Sequence, residues 1–509
     1  MPGNNWRQLF LLVTAIVVPV VIRLGGSEHI KNPPAYFVRL QGRLAEHQMG
    51  AKTPSGQALE RAKLGKTMEL LLAHLKELPS YLDGDCDAAE VSASEYAAQC
   101  QLIVEPTSGS IGQSLTSNST TFLFIKCLTE CKGTQIGVPG HVFHVLASGP
   151  TRVEGVVMDM GSGIYLVQLE LTHPGEYTIS AHIRMLTKRW VTKCSEDMKF
   201  KDAGRVWVPV INSPLIYHVS GSLPPEYESL PLCTGVDNPA QWVKVHSRDL
   251  GTHMSSVNWQ WRGIHCRYKT YTPTEAKKCL QNRRLVIMGD SHSRTAYVAI
   301  ENFLHGTLIN DGNKFQYGFS NCSGLGVCVE FLWLPYPDDI RSGIQERIDS
   351  GEIKCDDAII TQSGQWNAAY RCIADAKQEY EDLAVLLKEL SAQRFAAWVS
   401  PPASSNHIDS STEWLNLKNS RQTSPRMNAE VRQSTAAMKR AGVAIIDLNA
   451  MTRPRLETIC DGAHFACVNE ESVGKVRFEG PVILSFWQVV INGLCNTALP
   501  PREAECAAR

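Results

Sequence analysis

From Leu285 to Arg294 the chain reads Leu-Val-Ile-Met-Gly-Asp-Ser-His-Ser-Arg, four apolar residues that end in a glycine and a cluster of reactive side chains. The apolar run predicts a strand buried on both faces. Ala296, Ala299, Ile300, Phe303 and Leu304 then recur at helical steps and form one apolar face. Ser291 therefore falls at the C-terminal edge of a strand, where open α/β sheets hold their ligands. It also opens a helix, whose unpaired N–H groups can stabilise developing negative charge. The base such a serine needs is offered far downstream in Cys460-Asp461-Gly462-Ala463-His464-Phe465. Three residues of chain let the Asp461 carboxylate reach Nδ1 of His464 while Nε2 faces the serine. The chemistry implied is nucleophilic acyl transfer through an acyl-serine. Gly-Asp-Ser alone is also an ordinary polar turn with a helix cap, and Asp-x-x-His alone is common. Their joint occurrence on one α/β pattern points to catalysis.

The elements that must position these residues alternate strand and helix after Pro231, as a parallel sheet requires. Besides the Leu285 strand, Val327 to Leu334, Ala358 to Gln362, Phe395 to Val399 and Val443 to Ile446 predict about five strands. Leu383, Leu386, Leu387 and Leu390 mark one amphipathic helix, Met427 to Met438 another, and Gly480 to Leu494 a last, core-packing one. The third strand runs into Ser363-Gly364-Gln365-Trp366-Asn367, a second set of polar and aromatic residues at the same edge.

Gly-Asp-Ser followed by Arg294, with Asp-x-x-His near the domain's end, resembles the SGNH/GDSL hydrolase superfamily. More narrowly it is similar to the PC-esterase branch. That branch includes the neurexophilin and PC-esterase proteins, plant polysaccharide O-acetyltransferases and the sialic acid O-acetyltransferase catalytic domain. Cys233, Trp242, Trp261, Cys266 and Cys279 precede the turn much as that branch's cysteines and tryptophans do, and the resemblance covers about Pro231 to Cys495. It implies a three-layer α/β/α domain over 230–509 with Ser291, Asp461 and His464 as catalytic triad. It also implies oxyanion donors after the third strand. Gly364 fits the backbone donor. Asn367 lies one position beyond the superfamily's Gly-x-Asn spacing, so Gln365 competes with it as side-chain donor. Arg294 positions an acidic group or ties the helix to a neighbouring loop, and Trp366 walls a sugar ring or covers the sheet edge. The activity implied is O-acyl transfer, acetyl in the resemblance, onto a glycan acceptor from an acyl donor that the sequence does not identify. The same triad serves a carbohydrate ester hydrolase, and a dead enzyme retained as a binding module is the non-catalytic alternative. No cofactor is expected.

The 509 residues exceed one usual core. With 50 basic and 51 acidic residues and no basic block, nucleic acid is excluded as an expected partner. The 16 cysteines, with glycosylation sequons at Asn118 and Asn321, fit disulfides in an oxidising lumen. Cys127 with Cys131 and Cys460 with Cys467 are close enough to consider as pairs. No Cys or His pair completes a zinc site with Cys127 and Cys131, so no metal is expected. Leu9 to Ile22, between Arg7 and Arg23, reads as a signal anchor or a cleaved signal peptide over 1–24. Its fourteen residues span about 21 Å of helix against a hydrocarbon core of about 30 Å. The lack of a clear small-x-small site favours the anchor, and the resemblance adds a type II Golgi topology with a luminal catalytic domain; secretion is the alternative. Residues 25–99 predict a stalk with an amphipathic helix at Pro54 to Leu78 and an acidic linker. From 100 to 220 the period becomes two. Tyr165, Val167, Leu169 and Leu171 share one face, as do Tyr177, Ile179, Ala181 and Ile183, which predicts a β-sandwich. Its Pro-Gly-x-Tyr pattern resembles filamin-type immunoglobulin-like repeats. His141, His144, His173 and His182 are expected at strand surfaces or turns, not as metal ligands.

Overall fold

The computed structural model describes residues 100–103, 115–116, 119–131, 134–138, 140–160, 163–185, 205–245, 258–306, 309–310, 318–321, 326–354, 356–372, 374–404, 424–459, 464–472 and 475–496. The expected anchor, stalk helix and linker, together with Asn118, Cys460 and Asp461, lie outside them. No helix among the described residues is long and apolar enough to cross a membrane.

Alternating hydrophobicity in the first part builds two facing sheets. In one, Cys100–Ile103, Ser119–Cys131, Ile164–Leu171 and Val156–Asp159 lie side by side. In the other, Thr151–Glu154, Val142–Ser148, Gly175–Met185 and Leu215–Ser220 are successive neighbours. Tyr165, Val167, Leu169 and Leu171 meet Tyr177, Ile179, Ala181 and Ile183 in one shared core, so each predicted face is the buried one. The sheet does not stop where the proline-rich stretch 209–231 suggests a boundary. Ala240–Lys244 pairs with Thr151–Glu154, and Trp259–Gly263 extends the same sheet by one more strand. Cys127 is bonded to Cys100 and not to Cys131; the two strands that carry them are paired, with these residues in register. Cys233–Cys266 and Cys279–Cys495 are bonded too, the second tying the start of the α/β part to its last described helix.

The second part is a parallel sheet of β1 (Arg283–Gly289), β2 (Val327–Trp333), β3 (Ala358–Gln362), β4 (Ala396–Val399) and β5 (Ala444–Ile446), in the order β2-β1-β3-β4-β5. A short antiparallel strand, Gly318–Asn321, borders β2. Helices α1 (Ser291–His305), α2 (Pro337–Asp349), α3 (Gln365–Tyr370), α4 (Ala376–Ser391), α5 (Ser424–Ala441), α6 (Leu448–Thr452) and α7 (Pro481–Asn496) follow the strands. Alternate residues of β1 face opposite layers: Leu285 and Ile287 pack with α1 and α7, while Val286 and Met288 pack with α2, α4 and α5. The result is a three-layer α/β/α arrangement. Since β1 is flanked by β2 on one side and β3 on the other, the chain reverses direction of progress there, and the crevice beyond its C-terminal edge is the expected ligand site.

The two parts are knitted by side chains as well as by strands. Trp242 is wholly buried, donates its indole N–H to the Met451 carbonyl at 2.8 Å, and lies under the Arg455 guanidinium. Arg453 meets Glu154 at 2.7 Å, and the buried Arg184 donates to the Ser404 carbonyl at 2.9 Å. Trp242→Ala removes a filled core volume and orphans the Met451 carbonyl. We expect it to cost about 3–5 kcal/mol of stability in urea unfolding; a loss below about 1 kcal/mol would mean that the junction carries little of the fold.

Candidate active site

At the end of β1 the backbone passes through Gly289 with φ of 153°, a region closed to residues with a side chain. A Cβ there would collide with the Ser293 hydroxyl and the Gln362 carbonyl oxygen. This close approach lets α1 begin at once, with Asp290 as its cap: its Oδ1 accepts from the His292 N–H at 2.9 Å. Asp290 thus serves the turn as its cap. Ser291 is the first residue of α1 and largely buried. Ser293 reaches back to donate to Gln362 Oε1 at 3.0 Å, pinning the helix start to the end of β3.

His464 comes to this place from the far end of the chain. Phe465 and Ala466 are buried in the core shared with α7, and the hairpin of Cys467–Ser472 and Lys475–Glu479 that follows is held to α1 by the Phe478 N–H donating to Asn302 Oδ1 at 3.0 Å. The rings of His464 and His292 stand 4.9 Å apart with their planes at 54°. The structure thus brings His464 beside the residue next to Ser291, whereas Asp461 lies outside the described residues. His292 was not singled out in the sequence; its position directly after the serine at a helix start was the available signal.

The turn after β3 behaves differently from expectation. Gly364 has φ of 129° and sits against Pro401. Its polar neighbours all point into the fold: Ser363 donates to the Pro335 carbonyl at 2.8 Å, Gln365 to the Pro402 carbonyl at 3.0 Å, and Asn367 to the Tyr380 hydroxyl at 3.2 Å. Both side-chain amides considered as oxyanion donors therefore brace the turn, and each is buried. What the turn can offer to a ligand is backbone.

Aromatic residues cluster at the same edge. Trp366 meets Trp333 edge to face at 5.4 Å and leans on Tyr370 at 5.0 Å, while Tyr336 lies 6.3 Å away. The Arg294 guanidinium lies 5.6 Å from the Trp333 ring centre, and Arg371 covers Tyr336 at 3.6 Å. Trp333 is level with Gly289 in the register of β2 and β1, so the cluster flanks the start of α1. Trp333, Tyr336 and Tyr370 were missed because they lie on two segments far apart in sequence; the Trp-Leu-Pro-Tyr run at the end of β2 was the signal for the first two. Beneath α1, a cavity of about 30 Å³ is lined by His292, Ser293, Gln362, Phe465 and Trp487 among others.

No metal centre emerges among the described residues. Cys100, Cys127 and His141 bring possible ligand atoms within 4.8 Å of one another, but both sulfurs are spent on the disulfide. His141 and His144 are buried, not at the strand surface, and burial pushes His141 down to about 4, so it packs as a neutral ring near Tyr165.

No family model matches the chain. It is 21% identical over 284 residues to an N-acetylneuraminate (7)9-O-acetyltransferase of Danio rerio, a match that takes in 53% of this chain and 32% of that protein. The chain thus spans about a third of the length of that curated relative. Among solved structures, a lipase/acylhydrolase from Enterococcus faecalis aligns with 14% identity over 42% of this chain and 96% of its own, at a TM-score of 0.27. The Lin-41 filamin domain aligns with 12% identity over 24% of this chain and 94% of its own, at a TM-score of 0.16.

Gly289→Ala tests the constraint at the serine turn. Strained backbone and overpacking together should cost about 3 kcal/mol in chemical denaturation. A variant as stable as the parent would show that the turn can relax around a methyl group.

Proposed function

We propose that this chain is a serine-dependent O-acyltransferase of the SGNH/GDSL type, in its PC-esterase branch, acting on glycans in the lumen of the secretory pathway. The observation that carries the reading is the approach of the His464 ring to His292, immediately beside a buried serine that opens a helix at the switch point of a parallel sheet. Three-layer architecture, cysteine content and the zebrafish relative all support it. That relative's name brings acetyl as the acyl group and a sugar hydroxyl as the acceptor.

In this mechanism His464 Nε2 takes the proton of Ser291 as Oγ attacks the carbonyl carbon of the donor, and Asp461 orients and stabilises the imidazolium. The oxyanion is met by N–H groups of the α1 start and of Gly364, since Gln365 and Asn367 are occupied with the turn. Collapse returns the proton to the leaving group and leaves acyl-Ser291. An acceptor hydroxyl then gives its proton to His464 and attacks the acyl carbon, and the serine leaves, taking that proton back from His464, as the ester forms. Water in the acceptor's place makes the same site an esterase. Transfer wins when the acceptor is held and oriented, an effect worth about 7–11 kcal/mol of barrier. The Trp333, Trp366 and Tyr370 rings with Arg294 supply the surface for that: flat faces for a sugar ring and a cation for an acidic one. In this reading a short signal anchor at Leu9 to Ile22 and a filamin-like sandwich place the domain on the luminal side of a Golgi membrane.

A fluorophosphonate probe should label the wild type but not Ser291→Ala, and Ser291→Ala or His464→Ala should lower acyl transfer by at least about 10⁴-fold. Given an activated acetyl ester and oligosaccharides, the enzyme should form acetylated sugar faster than free acetate. Labelling without any transfer to sugar, accompanied by cleavage of glycan esters, would make it an esterase. Absence of labelling in a correctly folded chain would end the catalytic reading.

A further inference from the structure

Behind the turn that carries Gly364 lies an acidic group that the acyl chemistry does not use. Glu430 of α5, Tyr380 of α4 and Asn367 of α3 are each 0% exposed. The Tyr380 hydroxyl donates to Glu430 Oε2 at 2.9 Å and accepts from Asn367 Nδ2 at 3.2 Å. That hydroxyl also lies 3.5 Å from the position a Cβ on Gly364 would take. One hydrogen-bonded chain therefore runs from α5 to the first turn of α3, directly under the candidate oxyanion glycine. Its hydrogens do not add up for an ionised acid. Tyr380 has a single proton to give, and Glu430 Oε1 and Asn367 Oδ1 are both buried acceptors with no donor. A proton on Glu430 Oε1 removes the buried charge and turns one of these two bare acceptors into a donor.

We propose that Glu430 is a positioning residue that works as a neutral carboxylic acid, holding Tyr380 and Asn367 so that the turn from Ser363 to Gln365 keeps its shape, and that loss of its proton loosens that turn. The role in positioning an oxyanion donor rests on the acyl-transfer reading; the coupling of the proton to the turn does not.

The groups facing Glu430 are Tyr380 and Glu379 from α4, Asn367 from α3 and Arg426 from its own helix. Burial, aided by the Glu379 charge, pushes Glu430 up to about 7, against the pull of the Tyr380 hydrogen bond, of the nearby Asn367 amide and of Arg426. Arg426 is itself engaged with the carbonyls of Ala368 and Arg371 at 2.7 Å each, which ties α5 to the same helix. The sign follows from linkage. A carboxyl raised in the folded state contributes stability that is complete below its ordinary value of 4.5 and is lost as pH rises to about 7, because the unfolded chain ionises first.

The test compares the whole luminal chain with Glu430→Gln, which mimics the neutral acid. Unfolding midpoints of the wild type should fall relative to the variant as pH rises from 5 to about 7, the range set by the raised carboxyl. Hydrogen exchange at the amides of Gly364 to Ala368, compared at one pH, should be severalfold faster in the wild type than in Glu430→Gln above neutrality and equal below it. Parallel midpoints, or equal exchange above neutrality, would overturn the proposal. Tyr380→Phe breaks the chain at its centre and should speed exchange of the same amides at every pH. If that variant leaves them protected, the chain does not hold the turn. Fluorophosphonate labelling of Ser291 gives the functional arm: its decline on the alkaline side should move to higher pH in Glu430→Gln. A wild type that is never labelled would remove the acyl-transfer reading, while the unfolding and exchange results would still decide the proton's part.

Discussion

The arrangement turns on one close approach of backbone to backbone. Where β1 ends, Gly289 lets the chain pass against the carbonyl of Gln362 without a side chain in between. Everything at the candidate site depends on that contact. It allows the chain to turn within a residue or two, so that α1 starts with Ser291 and not farther from the sheet. It sets the end of β1 level with the ends of β2 and β3, where Trp333 and the Ser363–Gly364 turn stand. The Ser293 hydrogen bond to Gln362 closes the same gap from the other side. A serine at a helix start is otherwise unremarkable; held here, it stands at the C-terminal edge of β1, beside the point where the strand order opens a crevice.

A second consequence concerns the β-sandwich. Its sheet continues into Ala240–Lys244 and Trp259–Gly263, and these strands belong to the segment that also carries Cys233 and Cys266. The sandwich and the α/β part consequently share hydrogen bonds, a buried tryptophan and a set of ion pairs around Glu154. Arg453 and His144 both meet that carboxylate, and burial notwithstanding they hold it ionised, at about 2. Isolated surface pairs contribute little, but a buried carboxylate stripped of its partners is costly, so these contacts fix the docking of the two parts more than they add to stability. Arg184 carries that docking to Ser404, which follows β4 on the same side as the candidate site.

Much of this architecture was legible in the sequence because hydrophobic periodicity survives translation into burial. The five parallel strands and the two inward faces of the sandwich are read from spacing alone, and the observed elements differ from that reading by a few residues at their ends. Pairings between distant segments were not legible. Cys127 prefers Cys100 over the nearby Cys131 because strand register, not sequence distance, brings sulfurs together. The extension of the sandwich by residues from beyond the proline-rich stretch is of the same kind. Side-chain direction was the other gap: Gln365 and Asn367 are polar residues in a turn at the C-terminal edge of the sheet, yet both amides are buried and bound inward. Only the neighbours, Pro402 and Tyr380, decide that, and nothing local announces them.

The inward commitment of those amides bears on how such an edge can do chemistry. A donor on a side chain is adjustable by rotation and must be held by packing before it can stabilise charge without reorganising. A backbone N–H is held by the fold itself. At this edge the side chains have taken the bracing role: Ser363 ties the turn to the segment after β2, Gln365 to the segment after β4, and Asn367 to α4. Three anchors in different directions leave the peptide groups around Gly364 little freedom, and the helix start at Ser291 is equally fixed by Asp290 and Ser293. The rigid dipoles are thus peptide N–H groups on two neighbouring strands' ends. Where the backbone is braced this fully, the turn's polar side chains build the brace and its peptide N–H groups are what it presents.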